Sequence, residues 1–90
     1  MRFDEYEADA VGTLNPNLSA RDRLLDAAAG LAEEGGEVLG LVRKHLFMGH
    51  PLDRERLAAE LGDALWCLAM TARAAGLTLD DVAEGNLAKL

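Results

Sequence analysis

Apolar residues recur along most of the chain at intervals of three and four, the spacing that lines one face of an α-helix. Turn residues cut this pattern into four stretches. The first covers about residues 2–12, with Phe3, Tyr6 and Ala10 on one face, and ends at Gly12 and the TLNPN segment. Ser19 with Asp22 forms a helix start signal, a variant of the capping box. The second stretch then runs from Ala20 to about Met48, where MGHPLD stops it, with Gly49 placed to cap the end and Pro51 to break it. Asp53 caps a third helix that runs to about Ala75 and stops at Gly76. Thr78 with Asp81 repeats the start signal, and a fourth helix runs to Leu90.

The second helix is long for so small a chain. At 1.5 Å per residue it spans ~43 Å if straight, whereas a compact globule of this size has a radius of gyration of ~12 Å. Either it bends at Gly35 and Gly36, or it overhangs and packs on another copy. The paired glycines also permit close helix approach. An overhanging Leu-rich stripe needs cover, so self-association is expected, as a homodimer or a dimer of dimers.

Composition narrows the fold class. The chain has 17 Leu and 16 Ala but no Ile, Val and Thr add only seven β-branched residues, and aromatics are 4%. Strands favour the residue types that are scarce here, so the expectation is an all-α protein: an antiparallel helical bundle of about four helices, completed by oligomerisation. Residues 1–90 allow one domain.

Nine basic residues against sixteen acidic ones give a net charge of −7, which repels nucleic acid and anionic membranes on average. No 18-residue apolar run can span a bilayer. The N-terminus, MRFDEYEADA, lacks the apolar core of a signal peptide. The cytoplasm is the expected compartment. A single cysteine rules out an internal disulfide and a CxxC metal site, and Cys67 reads as a small buried hydrophobe.

The chemistry lies in carboxylates on apolar faces. With Val38 set at zero on the second helix, Ala27, Leu31, Leu41, Val42 and His45 fall within roughly 60° of it. Glu34 falls at about −40°, inside that stripe, and Glu37 at about −100°, on its border. Glu33 points roughly another 40° outward, into solvent. His45 is expected to be packed or interfacial. On the third helix Glu60 edges the arc of Leu57, Leu61, Ala64, Leu65 and Leu68. Asp63 follows nearly one turn on, with Trp66 and Met70 beyond.

A lone E-x-x-E pair is ordinarily a solvated flank, but two pairs bordering core stripes on neighbouring helices need charge compensation. Arg56 near Glu60 is the main basic residue at hand. A hard divalent cation such as Mg²⁺, or Mn²⁺ in its place, compensates better, because it prefers oxygen ligands. A di-iron site ordinarily uses Glu-x-x-His, and neither His lies three residues after a candidate Glu.

The runs GLAEEGGEVLGLVRK, LAAELGDALWCLA and GLTLDDVAEGNLAKL closely resemble the MazG-like all-α nucleoside triphosphate pyrophosphohydrolases, whose signature is E-E-x-x-E, a spacer, then E-x-x-D. The resemblance extends to FDEYEADAVGTLNP near the start of the chain. It implies hydrolysis of nucleoside triphosphates to monophosphate and pyrophosphate, as housekeeping of the nucleotide pool. It implies Glu34, Glu37, Glu60 and Asp63 as metal ligands. Glu33 takes the less constrained first position, where it orients water, acts as a base or faces solvent. N-x-x-K places Asn86 on sugar or base and Lys89 on phosphate. Relatives often carry an aromatic at position 67, and Trp66 is the candidate to take over its stacking role. Arg43 and Lys44 are within reach of phosphates, though charges near a helix end ordinarily complement the dipole. A neighbouring subunit is implied to help form the cleft. Cys67 motivates the alternative, a catalytically weak or inactive nucleotide-binding or interaction module of the same fold.

Overall fold

The computed structural model describes residues 1–90 and contains four helices and no strand: α1 (Phe3–Val11), α2 (Ala20–Phe47), α3 (Arg54–Ala74) and α4 (Leu79–Lys89). The start signals work as their chemistry requires. Ser19 Oγ accepts the Asp22 backbone N–H at 3.1 Å, and Asp53 Oδ1 accepts that of Arg56 at 3.0 Å. Thr78 and Asp81 form a full reciprocal capping box. Each satisfies N–H groups that a first helical turn leaves unpaired. Gly49 and Gly76 follow α2 and α3 with φ of 71° and 76°, left-handed values that cost glycine little.

α2 and α3 form an antiparallel hairpin that carries most of the tertiary contact, while α1 and α4 lie against α3 and against each other. α1 is held in two places. Glu7 Oε1 accepts the Leu79 N–H at 2.8 Å, tying it to the start of α4. The Trp66 indole donates to Thr13 Oγ1 at 2.9 Å, tying the turn after it to α3. The core is Ala10, Ala27, Ala69, Met70 and Leu79, with Tyr6, Val11, Leu14, Leu65 and Trp66 packed around it.

α2 does not break at Gly35–Gly36; it runs unbroken for 28 residues. The long axis of the molecule is 42 Å and its radius of gyration 14.9 Å, above the ~12 Å of a compact chain of this length. Within one chain no other helix comes close to Gly35 or Gly36. A Cβ at either would meet nothing within 4 Å, whereas one at Gly30 would lie 2.7 Å from Cys67 Sγ. Gly30 shares the side of α2 that carries Ala27 and Glu34, the side that meets α3. The two later glycines are rotated away from it.

Only seven residues are buried, so one chain leaves much of its apolar surface open. Leu25, Leu39 and Leu46 are 59%, 66% and 64% exposed, at spacings of fourteen and seven residues on one face of α2. His45 is exposed rather than packed. Its Nδ1–H donates to the His50 carbonyl at 2.9 Å and closes the turn after α2.

Candidate metal centre

Midway along the hairpin, Glu34 of α2 meets Glu60 and Asp63 of α3. Glu34 and Glu60 are half-buried and Asp63 is exposed, and one oxygen from each lies within 4.8 Å of the others. Helical spacing brings this about: Glu60 and Asp63 are three apart and share a face, and the Gly30–Cys67 contact one turn away holds the two helices close. No salt bridge reaches any of the three. Ion pairs occur at Arg2–Asp4 and Arg21–Asp22, both on the surface. Arg56 therefore does not neutralise Glu60.

Glu34 bears the strain of this arrangement. Its Oε2 is shut off from solvent and has no hydrogen-bond donor. Its carboxyl is pushed up to about 7, first by a hydrogen bond to Glu60 that the protonated form can donate. Burial and the negative charges of Glu60, Asp63 and Glu33 add to this. Without a cation, this geometry favours a proton shared between Glu34 and Glu60. A cation can replace that proton and give Oε2 a partner. The donor set is all carboxylate oxygen, which suits a hard divalent ion and not a thiophilic one. The residues present thus fit the group.

Two other groups report on the centre. Burial raises the Cys67 thiol, and the charges of Glu34, Asp63, Asp26 and Glu33 raise it further, so it stays protonated; Cys67 is buried, as a small hydrophobe should be. The Tyr6 hydroxyl is raised by burial, then by Asp63 and Cys67, and α1 packs its ring against the hydrophobic core. The sequence pattern places Tyr6 on the apolar face of α1 and gives it no role at the site. Nothing in the sequence states which helix α1 packs upon.

The remaining candidates are placed as follows. Glu37 is exposed and lies outside the three-carboxylate set, and Glu33 is exposed beyond it. Trp66 is half-buried with its N–H taken by Thr13, so what it can offer a ligand is ring surface. Asn86 and Lys89 are exposed near the end of α4, a helix that makes no contact with α2. Arg43 is exposed, with Nη1 3.9 Å from Met48 Sδ. One feature was not legible beforehand: Lys44, His50 and Arg56 line a polar cavity of about 340 Å³ at the loop end of the hairpin. They come from three segments that meet only after folding, and Arg56 is one turn from Glu60.

A helical hairpin with a three-carboxylate cluster at its centre defines a class of all-α protein equipped to hold a divalent cation. The family model for the MazG nucleotide pyrophosphohydrolase domain matches residues 24–90, and the chain belongs to that family. The match takes in α3, α4, all but the first turn of α2, and every candidate acid; α1 lies outside it. No curated protein and no solved structure matches the chain.

Proposed function

We propose that this chain hydrolyses nucleoside triphosphates between the α and β phosphorus atoms, giving monophosphate and pyrophosphate, with Mg²⁺ or Mn²⁺ held by Glu34, Glu60 and Asp63. The observation that carries the proposal is the orphaned, occluded Glu34 oxygen in a cluster of three carboxylates with no protein cation beside it. When bound, the ion screens phosphate charge, polarises a phosphoryl oxygen and lowers the pKa of water.

The chain's own residues do the rest. Glu37, one turn past Glu34, is the fourth ligand or an outer partner that orients water, and Glu33 faces the solvent edge of the same site. Lys44 and Arg56 offer positive charge, and His50 a ring nitrogen, to the phosphate end of a substrate. The Trp66 ring stands on the other side of Asp63, toward the nucleoside.

Because α4 does not reach α2 within one chain, Asn86 and Lys89 serve a cleft completed by a second copy. A homodimer, or a dimer of dimers, also covers the exposed Leu25–Leu39–Leu46 line. Housekeeping of the nucleotide pool is the role this chemistry suits, and the cytoplasm is the compartment it implies.

The test is a panel of canonical, oxidised and methylated nucleoside triphosphates with Mg²⁺. At least one should yield pyrophosphate and monophosphate without orthophosphate. EDTA, Glu37→Gln or Asp63→Asn should abolish this at unchanged helicity. Failure of every triphosphate at high enzyme load, or full turnover in the variants, overturns the proposal. Mg²⁺-dependent nucleotide binding without turnover would instead identify a binding module.

A further inference from the structure

A second pocket lies at the opposite end of the hairpin from the loop cavity. It encloses about 200 Å³ between the turn after α1, the first turn of α2 and the last turns of α3, and is walled by Leu14, Met70 and Ala74 with Arg23 and Arg73. It is remote from the carboxylates: helical rise puts it roughly 10 Å from them along α3 and roughly 16 Å along α2. The Gly30–Cys67 contact closes the helix interface in between.

Two arginines share this pocket in a protein of net charge −7, and neither has an acidic partner. Arg23 donates through Nη2 to the Asn15 carbonyl at 3.2 Å, but its Nε is shut off from solvent with no acceptor. It also stands in the first turn of α2, where the helix dipole disfavours a cation. The carboxylates of the same stretch, Asp22 and Asp26, line a different groove with Leu18 and Leu25. Two like charges on one wall, one of them with an orphaned donor, suit an anion. The apolar remainder of the wall suits a hydrophobic body.

We propose that this pocket binds a small organic oxyanion, a phosphate monoester carried on a compact apolar or aromatic body. The head group lies between Arg23 and Arg73, where charge-assisted hydrogen bonds are strongest. The body rests on Leu14, Met70 and Ala74. The site works without a divalent ion and is independent of the pyrophosphohydrolase reading.

The experiment titrates metal-free wild-type protein in EDTA with phenyl phosphate, a deoxynucleoside monophosphate and inorganic phosphate, by calorimetry and by Trp66 fluorescence. Without metal the carboxylate cluster repels anions, and Arg73→Gln separates binding here from binding in the loop cavity of Lys44, His50 and Arg56. Saturable binding of either monoester is expected, tighter than that of inorganic phosphate and weakened by salt. Arg73→Gln should weaken it roughly tenfold or more, and Arg23→Gln likewise. Because Arg23 also supports the Asn15 turn, Arg73→Gln, whose side chain makes no hydrogen bond or ion pair, is the deciding variant. Asp63→Asn should leave the affinity unchanged. No saturable binding up to millimolar ligand, a strict need for Mg²⁺, loss in Asp63→Asn, or wild-type affinity in Arg73→Gln would each overturn the assignment.

Discussion

Gly30→Ala tests what sets the distance between α2 and α3, and with it the width of the carboxylate cluster. The added methyl carbon would sit 2.7 Å from Cys67 Sγ, while the Cys67 Cβ, at 3.9 Å, is an ordinary neighbour. Normal contact is about 3.5–4.0 Å, so roughly 1 Å must be found. It comes from a rotation of the buried thiol or from separation of the helices. Overpacking of this kind costs about 1–3 kcal/mol, and the better helix propensity of Ala returns about 1 kcal/mol. Gly30→Ala should therefore lose up to about 2 kcal/mol, read as a lower urea midpoint at unchanged slope. Cys67→Ala removes the opposing atom. The double variant should be more stable than Gly30→Ala alone, with a coupling of about 1–3 kcal/mol in the cycle.

The wedge should also reach the site, because Glu34 is one turn from Gly30 and Asp63 one turn from Cys67. Octahedral Mg²⁺ sets opposite ligands about 4.2 Å apart. A cluster whose oxygens lie within 4.8 Å of one another loses affinity when it widens. Gly30→Ala should weaken Mg²⁺ binding, and Cys67→Ala should restore it. A cycle additive to within about 0.5 kcal/mol would refute this account of the helix spacing.

Three further outcomes follow from the geometry. In EDTA the stability of the wild type should fall as pH rises. The Glu34 carboxyl ionises near its usual 4.5 in the unfolded chain but near 7 in the folded one. Between those values the folded state holds a proton the unfolded state has released, so that contribution is present below about 4.5 and lost through 7. Melting curves from pH 4 to 8 should show this slope. Glu34→Gln should flatten it, and an unchanged slope in that variant would exclude Glu34 as its source. Thr13→Val removes the acceptor of the Trp66 indole and should cost about 1 kcal/mol with a red shift of Trp66 emission; unshifted emission would show that the bond does not hold the turn. Thr78→Ala breaks the α4 capping box and should cost about 1 kcal/mol in urea unfolding, against no change if α4 is held by packing alone.

Helix number, caps and the inward position of Glu34 were readable because each depends on local chemistry. Ser19, Asp53 and Thr78 act within three residues of themselves, and Glu34 takes its place from a period of 3.6. Pairwise placement was not readable. Helical angle put Glu37 on the border of the stripe, but whether a border residue joins the cluster depends on where α3 sits. In one chain Glu37 remains outside the set. The close approach fell at Gly30, not at the more conspicuous Gly35–Gly36, because only the partner helix decides which glycine is crowded. The family resemblance gives Trp66 a stacking role, while its N–H is committed to a turn 53 residues earlier in the chain. The loop cavity of Lys44, His50 and Arg56 and the pocket of Arg23 and Arg73 likewise join residues that no local pattern connects.

Calorimetric titration of Mn²⁺ into metal-free protein near pH 7.5, wild type beside Glu34→Gln and Asp63→Asn, is the most direct measurement of what the three carboxylates are for. Saturable binding, with proton release only from the minor fraction of protein that still holds the shared proton at this pH, reduced at least tenfold in both variants, is the predicted result. No saturable binding by the wild type, or equal affinity in all three proteins, would contradict the claim that these oxygens converge in order to hold a divalent ion.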